Sequence, residues 1–62
     1  METIKLHNGQ EREFLVFRDN HYKFYICSTS LQADDLVKTF KENNKDCYKE
    51  ETAYGWCVVL KK

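Results

Sequence analysis

Residues 28–44 read STSLQADDLVKTFKENN and contain the signals that start, repeat and stop a single helix. Thr29 is a preferred N-cap, because its hydroxyl accepts an unpaired amide of the first turn, and Gln32 lies three residues later in the capping-box position. The pair Asn43-Asn44 predicts a left-handed stop. One apolar stripe at helical spacing lies between these ends and is expected to pack against a sheet: Ala33, Leu36, Val37 and Phe40.

Alternation of apolar and polar residues predicts three strands before this helix, at Thr3–His7, Glu11–Phe17 and Tyr22–Cys27. The second strand ends in four consecutive apolar residues, 14–17, so its later half is apolar on both faces, which is typical of a central strand. Two further strands, Cys47–Thr52 and Trp56–Leu60, are predicted after the helix as a hairpin around residues 53–55.

The registers of both hairpins follow from their loops. We expect a three-residue loop at 8–10, which pairs Ile4 with Phe14 and Leu6 with Arg12, because a shorter loop would place acidic residues on the apolar face.

In the last hairpin we expect Cys47 opposite Cys57. That register sets Tyr48 opposite Trp56 as an aromatic cross-strand pair. The prediction is an α+β fold of order β-β-β-α-β-β, in which one helix covers one face of a small antiparallel sheet. The 62 residues form a single domain, 1–62, since no linker interrupts them.

Composition indicates a globular chain with a thin stability margin. It is 42% hydrophobic and 15% aromatic, but a core of this size rarely supplies more than about 3–5 kcal/mol without help from a metal, a disulfide or a partner. Ten basic and ten acidic residues give a net charge of zero, so no overall field attracts a polyanion. Association with another protein would add to this thin margin and is therefore expected.

A cytoplasmic location is expected from the N-terminal residues, from the lack of long apolar stretches and from the cysteines. The first residues carry no basic segment followed by a long apolar run, and no stretch approaches the ~18 apolar residues of a membrane span. Cys27, Cys47 and Cys57 are an odd set with wide spacing, which favours reduced thiols over a disulfide framework.

No catalytic, cofactor or metal site is predicted. Zinc sites use paired ligands two to four residues apart, and no Cys or His has such a neighbour. Cys27 precedes a helix N-terminus, which lowers a thiol pKa, but its place at the end of an aromatic strand favours a packed thiol. We expect the three cysteines to be passive and the protein not to be an enzyme.

The strongest functional signal is a surplus of apolar surface. The face toward the helix is filled by nine residues: Ile4, Phe14, Val16, Tyr22, Phe24, Ile26, Trp56, Val58 and Leu60. The opposite face still carries Leu15, Phe17, Tyr25 and Val59, which a monomer would expose unless the sheet curled to cover them. We therefore predict a protein-binding surface that combines this face with the turn from Tyr54 to Trp56, and a homodimer is one form of association. Its residues are Leu15, Phe17, Tyr25, Tyr54, Trp56 and Val59.

The alternative is a nucleic-acid-binding accessory domain, because a basic and aromatic sheet face binds single strands. Its residues would be Arg12, Arg18, His21, Lys23 and Tyr25. Salt separates the two hypotheses, since phosphate contacts weaken steeply with ionic strength.

No family motif is present. In size and near-neutral charge alone, the chain is similar to small accessory proteins of phages and mobile elements, some of which inhibit host enzymes such as CRISPR effectors. The expected function is accordingly that of a small inhibitor or adaptor.

Overall fold

A computed structural model describes residues 1–62 as one five-stranded sheet with one helix packed on it. The elements in chain order are β1 (Glu2–Lys5), β2 (Glu11–Arg18), β3 (Tyr22–Cys27), α1 (Ser30–Glu42), β4 (Cys47–Thr52) and β5 (Gly55–Lys61). All neighbouring strands are antiparallel, in the order β1-β2-β3-β5-β4. The predicted α+β fold and its element order are therefore confirmed. The helix is not long and apolar enough to cross a membrane.

The start of α1 is fixed by the predicted cap. The backbone N–H of Gln32 donates to the Thr29 hydroxyl at 3.2 Å, and the Gln32 side chain accepts from the Ser28 N–H at 3.0 Å. This arrangement resembles a capping box, except that the Gln32 side chain accepts from the residue before the cap instead of from the cap's own N–H. Two amides at the helix start thus gain partners within the chain.

The end of α1 follows from the left-handed backbone of Asn44, which has φ of 60°. Its N–H donates to the Lys41 carbonyl at 3.1 Å, and the Lys45 N–H donates to the Phe40 carbonyl at 2.9 Å. These two bonds form a Schellman motif, which satisfies carbonyls of the last turn. The predicted stop at Asn43-Asn44 is confirmed.

The core lies between α1 and the sheet. Ala33, Leu36 and Phe40 are buried and Val37 is half-buried, so the predicted helix stripe is confirmed. The ring of Phe40 lies 5.1 Å from that of Tyr25 between centroids. Aromatic contacts at this distance contribute beyond the area that they bury.

The predicted phase of β3 is wrong. Tyr25 and Cys27 are buried in the core under the helix, whereas Phe24 and Ile26 lie on the opposite face. The cause is the pairing across the sheet, which aligns Val16, Tyr25 and Val58 in one row. Paired residues share a face, so Tyr25 must face the helix with its two neighbours. Tyr22, Phe24 and Ile26 alternate with the residues that face the helix. All three therefore lie on the side of the sheet away from the helix, contrary to the prediction.

The register of β1 with β2 differs from the prediction by two residues. Ile4 pairs with Arg12, and Glu2 takes the predicted place of Ile4 opposite Phe14. The loop is longer because Leu6 leaves the strand, and its carbonyl accepts from the Gly9 N–H at 2.9 Å. Burial of Leu6 in the core stabilises this arrangement. An even shift keeps every β1 side chain on its predicted face.

The predicted register of β4 with β5 is wrong by three residues. Cys47 pairs with Leu60, and Tyr48 pairs with Val59 instead of Trp56. The hairpin closes on the two residues 53–54 because Gly55 has φ of 110° and joins the strand. An odd shift moves Tyr48 to the face opposite Trp56.

Candidate interaction surface

The face of the sheet away from α1 carries two apolar rows that cross three strands. One row aligns Leu15, Ile26 and Cys57, and the next aligns Phe17, Phe24 and Val59. Tyr22 and Tyr48 flank these rows, and Tyr54 reaches them from the turn before β5. We call this surface the apolar face, with the members Leu15, Phe17, Tyr22, Phe24, Ile26, Tyr48, Tyr54, Cys57 and Val59.

The apolar face is uneven across its width. On β2 the side chains protrude, since Leu15 is 48% exposed and Phe17 is 56% exposed. On β5 they are recessed, since Val59 is only 2% exposed and Cys57 is buried. The centre of the face is therefore bordered by a ridge on one side and a depression on the other.

Two recesses open on this face. The first has a volume of about 300 Å³ and is lined entirely by apolar residues, namely Leu15, Phe17, Ile26 and Tyr54. The second, of about 180 Å³, has Val59 among its lining residues, together with Tyr22, Asp46, Tyr48 and Lys61.

A larger concavity lies between β1 and β2 and carries no such surface. Its volume is about 540 Å³, but its lining is polar: Thr3, Glu11, Arg12 and Glu13. Charged, hydrated walls gain nothing from leaving water without a paired ligand. The apolar recess is smaller but offers the surface on which burial is favourable.

Three of the six residues predicted for protein binding lie exposed together here: Leu15, Phe17 and Tyr54. Val59 lies on the same side of the sheet, but it is only 2% exposed, contrary to the prediction that a monomer would expose it. The prediction missed Phe24 and Ile26 because it assigned β3 the wrong phase, and it missed Tyr48 through the hairpin register. For β3, the signal that could have found them is the pairing of Tyr25 with Val16 and Val58, which fixes the phase of the strand.

Trp56 lies on the helix side of the sheet, where the sequence also placed it, and so the predicted binding turn from Tyr54 to Trp56 does not extend the apolar face through Trp56. It packs against the core on the helix side, where the Lys49 ammonium lies 5.0 Å from its ring centroid. Lys49 also contacts Asp34 at 2.6 Å and Ser30 at 3.1 Å in the first turns of α1. These contacts of Lys49 link β4 to the helix beside Trp56.

Tyr25 is likewise removed from both predicted surfaces, being 1% exposed. Its hydroxyl donates to Glu2 at 2.9 Å, and the same carboxylate lies 3.5 Å from Arg18 and 3.8 Å from Lys23. Burial, together with the Glu2 hydrogen bond and charge, raises the pKa of Tyr25 to about 12. A buried ring cannot stack on a base, so the assignment of Tyr25 to a nucleic-acid surface is wrong.

The other residues of that alternative do not converge on one aromatic surface. Arg18 and Lys23 share the Glu2 carboxylate, Arg12 is half-buried, and His21 lies in the β2–β3 turn. Two of the four basic side chains are thus next to an acid, which lowers their attraction for phosphate.

The location of Tyr25 predicts a specific loss of stability at high pH. The pKa of Tyr25 is higher in the folded state than its ordinary value of 10. The contribution of this phenol to the unfolding free energy is therefore complete below pH 10 and is lost as the pH rises toward 12. We expect Tyr25→Phe to flatten this decline in unfolding free energy, measured by urea titration from about pH 9 to pH 12. Tyr54→Phe, which changes an exposed phenol, is the matched control and should keep the parental slope. An unchanged slope in Tyr25→Phe would contradict the buried hydrogen bond.

All three cysteines are free and buried. Burial raises the pKa of each thiol, that of Cys27 to about 11. A thiol rather than a thiolate is a poor nucleophile and a poor metal ligand at neutral pH. The structure contains no group of three or more His, Cys, Asp or Glu side chains arranged to hold a metal.

No protein-family model, curated protein or solved structure matches this chain.

Proposed function

We propose that the protein is a small non-enzymatic protein-binding module, an inhibitor or adaptor, that associates through the apolar face. The observation that carries the proposal is the recess of about 300 Å³ whose four lining residues are all apolar and in part exposed. Concave apolar surface with aromatic walls is typical of the energetic centre of protein interfaces.

The energetics favour association over exposure. Complete burial of a large apolar side chain contributes about 1.5–3 kcal/mol, and Leu15, Phe17 and Tyr54 all remain exposed in the isolated chain. The two central rows contain no charged side chain on β2, β3 or β5. A partner with an apolar surface therefore pays no cost of desolvating an ion at the centre.

A cytoplasmic location accompanies the proposal, because free thiols persist in a reducing compartment. The inhibitory role is proposed by analogy alone, because the chain is similar to the small accessory proteins of phages and mobile elements only in size and neutral charge.

The decisive variant is Leu15→Lys. We expect it to stay folded, since Leu15 is 48% exposed, and to lose the proteins captured by the immobilised wild type, because a lysine in the recess must be desolvated on binding. Thermal melts by circular dichroism and quantitative mass spectrometry of the captured proteins measure the two effects.

Leu31→Lys is the matched control. It makes the same chemical change at a residue that is 71% exposed on α1, and its captured proteins should equal those of the wild type. Capture should also persist at high salt, unlike phosphate binding. An unfolded Leu15→Lys protein would assign Leu15 to the domain's own core, and unchanged capture would refute the proposed surface.

A further inference from the structure

We propose that the occupant of the apolar face is a second copy of this chain, in a symmetric dimer whose two-fold axis runs parallel to β3. The inference rests on the proposed function and specifies its partner. It is carried by the order of the strands, by the relief of the apolar face and by the charges at one end of it.

The strand order is centred on β3. In the sequence β1-β2-β3-β5-β4, a rotation of 180° about an axis parallel to β3 and in front of the apolar face exchanges the positions of β2 and β5. The row of Phe17, Phe24 and Val59 then lies over the same row of the second copy in reverse order. Phe24 meets its own counterpart at the axis, as an isologous contact requires.

The same rotation places protruding residues over recessed ones. Phe17, 56% exposed, lies over the second copy's Val59, which is 2% exposed and lines the recess of about 180 Å³. In the adjacent row Leu15 lies over the buried Cys57. Each of these contacts occurs twice by symmetry, once on each side of the axis.

The outer strands leave room for the remaining aromatic residue. Tyr48 on β4 belongs to the same cross-strand row as Phe17. The rotation places Tyr48 over the second copy next to β2, on the side of β2 where β1 pairs. The pairing of β1 with β2 stops at Glu2 opposite Phe14, short of Phe17. The space opposite Tyr48 is therefore not occupied by strand β1.

Charges at the ends agree with this orientation. Lys61 pairs with Tyr22 at the end of β3, and the N–H of Asp19 bonds the Tyr22 carbonyl at 2.9 Å from the neighbouring turn. Exchange of β2 and β5 brings Lys61 of each copy toward Asp19 of the other. The net charge of zero per chain adds no overall repulsion between copies.

The area limits the affinity. The principal extents are 27 × 22 × 19 Å, so one face projects at most 27 × 22, or about 590 Å². Stable interfaces begin near about 600 Å² per partner. Even the whole face is thus at the lower limit of size for a stable interface, and we expect dissociation in the micromolar range.

The first test is sedimentation velocity of the full chain from about 1 to 500 µM. The wild type should change from monomer to dimer with concentration. Phe17→Lys should weaken dimerisation by about 100-fold or more, because the lost burial occurs twice per dimer. Leu31→Lys should dimerise like the wild type, and circular dichroism establishes that each variant is folded.

The second test locates the axis without any mutation. In an equimolar mixture of ¹³C-labelled and unlabelled chains, isotope-filtered NOE spectra should show contacts between Phe17 of one copy and Val59 of the other. A dimer that lacks this contact, or one that Phe17→Lys leaves intact, would overturn the arrangement.

A chain that is monomeric at 500 µM would also overturn the inference. If Leu15→Lys still abolished capture of another protein, the proposed function would stand with a different partner. If capture were also insensitive to Leu15→Lys, the proposed function would fall as well.

Discussion

Phe40→Ala is expected to lower the unfolding free energy by about 3–5 kcal/mol, the range for loss of a buried phenylalanine. Phe40 lies near the C-terminal end of α1 and is buried in the core, with its ring centroid 5.1 Å from that of Tyr25. Its carbonyl also accepts the Lys45 N–H that closes the helix, so local distortion after truncation would affect the Schellman motif. Chemical denaturation followed by circular dichroism measures the loss.

The expected loss is comparable to the whole stability of a domain of this length. Phe40→Ala is therefore expected to be largely unfolded at 25 °C, and a milder variant is needed to quantify the site. Phe40→Leu should cost less, because it leaves a smaller cavity. Leu31→Ala, at an exposed position of the same helix, should change stability by less than about 0.5 kcal/mol. A Phe40→Ala protein that melted like the wild type would contradict the packing of α1 on the sheet.

The helix was predictable because its determinants are local. Thr29, Gln32 and Asn44 act within one turn of the residues that they cap, and the apolar stripe has a period that only a helix satisfies. None of these signals depends on contacts with residues outside this segment. The bounds, the caps and the buried side of α1 therefore all followed from residues 28–44.

The registers were not predictable to the residue, because they depend on long-range contacts. Leu6 alternates like a strand residue but leaves β1 to enter the core, and this choice moves the register by two. Its neighbour His7 donates its N–H to the Thr39 hydroxyl of α1 at 2.9 Å. A contact between residues so distant in sequence is not visible in a hairpin pattern.

The candidate surface was predictable only in part, for a related reason. Alternation gives the period of a strand but not its phase when both sides are apolar, and β3 is apolar on both sides. The larger set of Tyr22, Phe24 and Ile26 suggested the core, yet the pairing of Tyr25 with Val16 and Val58 decides the phase. Leu15, Phe17 and Tyr54 were correctly placed on the exposed side of the sheet because their assignment did not depend on β3. Val59 was placed on the correct side, but the cover that reduces its exposure to 2% was not predicted.

Gly55→Ala is expected to destabilise the fold by about 1–3 kcal/mol, the cost of forcing a residue with a Cβ into a sparsely populated backbone conformation. Gly55 has φ of 110°, and a Cβ built on it would lie 3.0 Å from the Cys27 carbonyl oxygen. That oxygen belongs to the backbone of β3 and cannot move without disturbing the strand. The substitution therefore combines torsional strain with a steric conflict.

Gly9→Ala is the matched control, because Gly9 has φ of 87° and a Cβ there would meet nothing within 4 Å. It carries torsional strain alone, so urea unfolding should show a smaller loss for Gly9→Ala than for Gly55→Ala. Gly55 also follows Tyr54, a wall of the recess that contains Leu15. Displacement of this turn should weaken association through the apolar face in Gly55→Ala and leave it unchanged in Gly9→Ala. Equal losses in the two variants would show that the close approach to Cys27 does not constrain the turn.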